Sequence, residues 1–201
     1  MFTNYQTLDL ENGTIEYVRS GKGKTLLFAH GLLVNANLWY ETVKRLQGNY
    51  DCVVLNLPFG AHRLPMPATA DLSPPGLASM VSESISRLHL KDVTLISNDS
   101  GDVLAQLLAT SHPEQVARLV MTNGDAFENF LPIRYRYMQI LSRLPGSLWL
   151  ANRALHWRAM QRLPLTFGPT SKRPIPPQHI DDYLRYARAS KGVRRDLQMV
   201  L

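Results

Sequence analysis

Residues 95–106 read LISNDSGDVLAQ. Leu95 and Ile96 continue an apolar run that suits a strand covered on both faces, whereas Val103, Leu104, Leu107 and Leu108 fall on one face of a helix. Between them the chain passes from strand to helix over a few small polar residues. A turn that tight forces its apex residue into strained backbone geometry and fits only if the positions two residues to either side are small. Ser97 and Gly101 meet that demand when the apex is Asp99; an apex at Ser100 puts the larger Asn98 and Asp102 at the flanks. The spacing therefore predicts a turn that lifts the Asp99 carboxylate off the carboxyl edge of a sheet, where ligands bind in open α/β sheets. It also aims the Ser100 amide at developing negative charge. The ordinary role of an aspartate at such a boundary is to cap the helix that follows.

The flanking sequence supplies the rest of an α/β pattern. Strands are predicted at 13–20 (GTIEYVRS), 25–31 (TLLFAHG), 51–58 (DCVVLNLP), 92–97 (DVTLIS) and 118–123 (RLVMTN), the later ones apolar at consecutive positions as in buried parallel strands. Between them, Leu77, Met80, Val81, Ile85 and Leu88 mark one face of a helix opened by Ser73 and Pro74. Alternating strands and helices imply a mostly parallel sheet with right-handed crossovers and helices on both faces. At 28–33 the chain reads FAHGLL, and a turn at His30-Gly31 can aim the N–H of Leu32 or Leu33 at the same oxyanion position from the other side. The stretch SGKGKT (20–25) ends like a phosphate loop but is followed by a strand, so it reads as a hairpin turn. From about residue 131 the pattern becomes wholly helical. The expected organisation is a core over 1–130 and an incomplete helical cap region over 131–201.

A chain of 201 residues with 45% hydrophobic content can bury one sizeable core. No signal-peptide pattern or long apolar run stands in it, so a cytoplasmic location is expected. The lone Cys52, in an apolar run, reads as a buried small hydrophobe, and no metal or cofactor is expected. The net charge of +6 is uneven: residues 131–201 carry 13 Lys and Arg against three Asp. That asymmetry suits solvated helix faces, and neither a nucleic acid nor a membrane is expected as partner.

The succession FAHG, LNLPFGAHRLP, ISNDSG and ATSHPEQVARLVMTN resembles the α/β-hydrolase fold family, in the branch whose elbow carries Asp, as in haloalkane dehalogenases and epoxide hydrolases. The resemblance covers roughly residues 13–130, and the helices beyond look like that branch's cap. It implies a hydrolase acting on a small organic substrate, with Asp99 as nucleophile and a covalent ester intermediate. His30, Gly31, Leu32 and Ser100 would form the oxyanion turn. Asp125, in VMTNGDAFE, matches the acid that follows the next strand in some members; Glu128 is a less well placed alternative, and Asn-Gly-Asp is also common turn chemistry.

The family's base is a histidine placed after the cap and two further strands, and none of the six histidines here occupies that position. The resemblance thus implies a C-terminally truncated copy, inactive alone or, alternatively, a non-catalytic remnant or binding module. An exposed last strand would favour self-association. Leu32 and Ser100 stand where haloalkane dehalogenases carry Asn and Trp, Leu33 replaces the proline typical of epoxide hydrolases, and Ser100 replaces the arginine favoured by fluoroacetate dehalogenases. The substrate, whether halide, epoxide or ester, stays open.

Overall fold

A computed structural model of the chain describes residues 1–124, 131, 133–164, 166–168, 171 and 174–201. Six strands form one mixed sheet: β1 (Gln6–Leu10), β2 (Gly13–Ser20), β3 (Lys24–Ala29), β4 (Tyr50–Asn56), β5 (Thr94–Asp99) and β6 (Arg118–Gly124), in the order β1-β2-β4-β3-β5-β6. The β4-β3-β5-β6 part is parallel, and β1 and β2 add an antiparallel edge. All five strands expected from the sequence are present. β1 escaped notice because QTLDL is a half-exposed edge whose polar positions dilute the apolar signal.

The SGKGKT segment is not a hairpin, because β4 lies between β2 and β3. Gly21 (φ 89°) and Gly23 (φ 125°) instead carry the chain across the start of β4. A Cβ on Gly21 would lie 2.1 Å from the Tyr50 carbonyl oxygen, and one on Gly23 would lie 2.5 Å from that of Asn49. Only glycine satisfies both the backbone angle and the approach.

Around the sheet lie α1 (Tyr40–Leu46), α2 (Pro74–Arg87) and α3 (Gly101–Ser111). α2 begins as its sequence dictates: the Ser73 hydroxyl accepts from the Gly76 N–H, Pro74 opens the first turn, and Leu77, Met80, Val81 and Ile85 are buried. Together with Leu104 and Leu108 of α3 they cover one face of β3, β4 and β5. Phe28, Trp39, Val43 and Val54 pack the other, with Cys52 buried among them.

The helices after residue 130 divide into two groups. α4 (Tyr137–Ser142), α5 (Ser147–Ala154) and α6 (Arg158–Gln161) reach the core through Leu131, Tyr135, Met138 and Leu148. α7 (Pro177–Ala189) and α8 (Lys191–Val200) are more deeply seated, with Leu197 and Val200 in the central apolar cluster. Burial of each such side chain contributes about 2 kcal/mol.

β6 differs from the other parallel strands. Leu119, Val120 and Met121 are between 37% and 47% exposed, and among the described residues no strand pairs with its outer edge. A parallel strand with that composition is a template for further pairing. The 201-residue chain is expected to self-associate with rising concentration in sedimentation velocity, and Val120→Lys is expected to shift it toward monomer. A wild-type chain that stays monomeric throughout contradicts this.

Candidate active site

The turn after β5 has the geometry its sequence demands. Asp99 closes the strand with φ 54°, in the left-handed region that side-chain-bearing residues avoid, and α3 begins two residues later. Around it the packing leaves little room. A Cβ on Gly31 would sit 2.5 Å from Asp99 Cβ, one on Gly101 would sit 2.8 Å from the His30 carbonyl oxygen, and one on Gly124 would sit 2.5 Å from the Asp99 carbonyl oxygen. Gly31 and Gly124 come from the ends of β3 and β6, so the strands on either side hold the apex in place. Leu33 (φ 60°) and Asn123 (φ 43°) share its left-handed backbone at the same edge. Left-handed backbone thus recurs at the carboxyl ends of three adjacent strands, the edge where ligands bind in open α/β sheets.

Ser100 is not at the apex. It has helical φ −60° and ψ −19°, is buried, and its Oγ lies 3.4 Å from Asp99 Oδ1. Ser97 also turns inward, its hydroxyl donating to the buried Asp102 carboxylate in the first turn of α3. That bond staples the strand to the helix across the turn.

On the β3 side, the N–H of Leu33 donates to the Phe59 carbonyl (2.9 Å), so of the two amides considered from the sequence only that of Leu32 remains for an oxyanion. His30 is a strut beneath this turn. Its Nδ1–H donates to the Gly31 carbonyl (2.9 Å) and its Nε2 accepts from the Leu57 N–H (3.0 Å), tying the end of β3 to the end of β4. Full burial pushes its pKa down to about 4, so the ring is neutral with both nitrogens engaged. Asp125 and Glu128 lie outside the described residues.

Two polar links between distant segments were invisible in the sequence. His62 Nδ1 accepts from the Gly60 N–H (3.3 Å), and its Nε2 meets Asp196 Oδ2 at 3.0 Å, both side chains being buried. Asp196 also accepts from the Met66 N–H (2.8 Å) and from Arg195. Burial alone would raise the Asp196 pKa; the bonds from His62, Met66 and Arg195 outweigh it and hold the carboxyl below its usual range. This clamp joins α8 to the loop after β4. A second joins α7 to the turn after β3, where the Asn35 and Asn37 side-chain amides both donate to Asp182 Oδ2 (2.9 and 2.8 Å). Both partners lie more than 130 residues apart in the chain, and no local pattern announces them.

A strained strand-to-helix turn at the carboxyl edge of a mostly parallel sheet, faced by a His-Gly turn on the neighbouring strand, is the elbow geometry of α/β-hydrolase folds. The alpha/beta hydrolase fold family model matches residues 24–173, and the chain belongs to that family. It is 28% identical over 167 residues to a fluoroacetate dehalogenase of a Burkholderia species, covering 81% of this chain and 51% of that protein. It is 27% identical over 120 residues to an (E)-2-((N-methylformamido)methylene)succinate hydrolase of Acinetobacter baylyi, covering 59% of this chain and 45% of that one. The chain thus spans about half the length of these curated relatives. A Pseudomonas aeruginosa protein provisionally described as an epoxide hydrolase superimposes with TM-score 0.74 at 23% identity, over 98% of this chain and 68% of that one, which shows the shared fold. Among the described residues no helix is long and apolar enough to cross a membrane, and no cluster of three or more metal-binding side chains occurs.

The buried neutral His30 makes stability depend on pH. Its folded pKa lies below the ordinary 6.5, so between 6.5 and about 4 the unfolded chain binds a proton that the folded chain does not. Its contribution is complete above 6.5 and lost as pH falls toward 4, amounting to about 3 kcal/mol. Urea midpoints measured across that window should fall steadily in the wild type and more shallowly in His30→Gln. Removing the clamp carboxylate by Asp196→Ala leaves His62 and Arg195 without their partner, and should cost about 3 kcal/mol in the same assay.

Proposed function

We propose that this protein is a hydrolase that uses Asp99 as a nucleophile on a small organic substrate. The observation that carries the reading is the left-handed Asp99 itself: an aspartate with φ 54° is costly, and Gly31 and Gly124 leave it room that a side chain at either position would take. A helix cap needs no such geometry. The same observation argues against an acyl-transfer serine, since Ser100 stands past the apex, helical and buried.

In the proposed reaction a carboxylate oxygen of Asp99 attacks an electrophilic alkyl carbon. The new C–O bond forms as the bond from that carbon to its leaving group breaks, and the electron pair departs with a halide or with an epoxide oxygen that then takes a proton. The product is an alkyl ester of Asp99. Water adds to the ester carbonyl carbon, and the Leu32 and Ser100 amides stabilise the tetrahedral oxyanion. Collapse expels the alcohol and regenerates the carboxylate. Asp125 would orient the histidine that activates the water. His30 and His62 have both ring nitrogens engaged, so neither is that base, and ester formation is the step assigned to the described residues. The similarity to a fluoroacetate dehalogenase favours an alkyl halide carrying a carboxylate as the first substrate to examine. The second reading, a protein that keeps the pocket without the chemistry, is favoured by these engaged histidines.

Incubation with a haloacetate and with a small epoxide, followed by intact-mass and peptide mass spectrometry, separates the readings. The expected result is one alkyl adduct on the peptide carrying Asp99 and none in Asp99→Ala. An adduct persisting at full yield in Asp99→Ala removes Asp99 from the role. Ligand binding indifferent to Asp99→Ala, without any adduct, supports the non-catalytic reading.

A further inference from the structure

Helices α4, α5 and α6 and the short links around them leave much of their apolar surface to water. Met138 and Leu148 pack on the core, but the fully buried residues of these helices are the polar Ser142, Asn152 and Gln161, while Ile133, Ile140, Leu144, Trp149, Leu150 and Trp157 are between 48% and 83% exposed. The inward polar groups are satisfied. Ser142 donates to the Gln139 carbonyl (2.9 Å), Asn152 accepts from Arg188 (3.1 Å), and Gln161 donates to the Leu155 carbonyl (2.8 Å). Trp149, Leu150 and Arg153 share one face of α5, with the exposed Trp157 in the link to α6, and Arg136, Ile140 and Arg143 recur at helical spacing along α4 and its caps. An exposed apolar face of this extent marks an interaction site rather than scattered surface hydrophobes.

The charge on this face identifies the partner. Residues 131–164 hold six arginines and neither an acidic residue nor a lysine. Arg158 pairs with Asp181 (2.9 Å) and Arg153 lies over the Trp149 ring (5.6 Å). Arg136, Arg143 and Arg162 are exposed and form no ion pair among the described residues. A second copy docking symmetrically on this face would set arginines against arginines. A nucleic acid would gain from the charge but nothing from exposed Ile133, Ile140 and Leu150. A surface of anionic headgroups over acyl chains satisfies both sets of side chains, with arginines at the phosphates, tryptophans at the interface and aliphatic groups beneath.

We propose that α4–α6 form a docking face for anionic phospholipid membranes. The sequence reading placed this positive charge on solvated helix faces with no membrane partner; the apolar residues exposed beside the arginines change that reading. The fold stays on one side of the bilayer, resting on these helices.

The test is co-sedimentation of the full chain with vesicles of phosphatidylcholine containing about one-third phosphatidylserine, against phosphatidylcholine alone, read together with tryptophan emission. Trp39 is buried in the core, so Trp149 and Trp157 report the contact. The proposal expects binding to the anionic vesicles with a blue shift, and about a fivefold loss of partitioning for each of Arg136→Gln, Arg143→Gln and Arg162→Gln at low salt. It also expects loss of binding in Ile140→Gln/Leu150→Gln with an unchanged thermal melt, which shows that the variant is folded. Failure to bind anionic vesicles overturns it, as does partitioning unaffected by the three arginine changes. Retention on double-stranded DNA without an emission shift overturns it in favour of a nucleic acid. A vesicle-free dimer dissolved by Ile140→Gln/Leu150→Gln overturns it in favour of a second copy.

Discussion

The constraint that shapes the carboxyl edge of this sheet is one of space: the Asp99 side chain fills the place that a side chain on Gly31 would need. A side chain in the left-handed region costs on the order of 1 kcal/mol or more, and it persists only where the surroundings leave no alternative. Here they leave none: α3 must begin immediately, and β3 and β6 crowd the apex from both sides. Gly31 carries no Cβ because Asp99 already fills that space. The His30 strut then fixes the β3 turn to the end of β4, so three parallel strands terminate in one rigid, strained rim. A rigid rim of this kind is what the proposed nucleophile requires, because a preorganised carboxylate needs no reorganisation at the moment of reaction.

The helices beyond β6 are bound to that rim in two different ways. α7 and α8 are anchored by buried polar clamps, Asp182 on Asn35 and Asn37, and Asp196 on His62 and the Met66 amide, supported by apolar burial of Ile180, Leu184, Val193 and Leu197. Both clamps grip the segments that follow β3 and β4, which tie α7 and α8 to the carboxyl edge of the sheet. α4–α6 reach the core through few residues and direct most of their apolar surface outward. The same chain therefore combines a firmly seated helical pair with a layer whose chemistry suits a neighbour.

The fold was legible wherever the physics is local. Consecutive apolar residues identified the buried parallel strands, Ser73-Pro74 identified the start of α2, and the small residues around Asp99 identified the elbow. Legibility failed where the partner is distant or the signal is diluted. The half-exposed β1 carries too few apolar residues to register as a strand. The turn at Gly21-Gly23 needed knowledge of β4 to be seen as a crossing instead of a hairpin. The His62–Asp196 pair joins a loop to an otherwise basic helix, and neither segment alone suggests it. For α4–α6 the periodicity was visible, but periodicity does not say whether the apolar stripe faces the core or the outside. Of the site residues, the sequence placed Asp99, Ser100, Gly31 and Leu32 at one edge, whereas His30 turns out to bind the scaffold through both of its ring nitrogens.

The most direct test of the account is a double-mutant cycle between Gly31→Ala and Asp99→Gly, measured by urea unfolding. If the Asp99 side chain fills the space beside Gly31, Gly31→Ala will be strongly destabilising in the wild type and much less so once Asp99 has lost its side chain, giving a coupling energy of about 1 kcal/mol or more. Additive effects would mean that the Asp99 side chain does not occupy that space, and the crowded apex described above would be wrong.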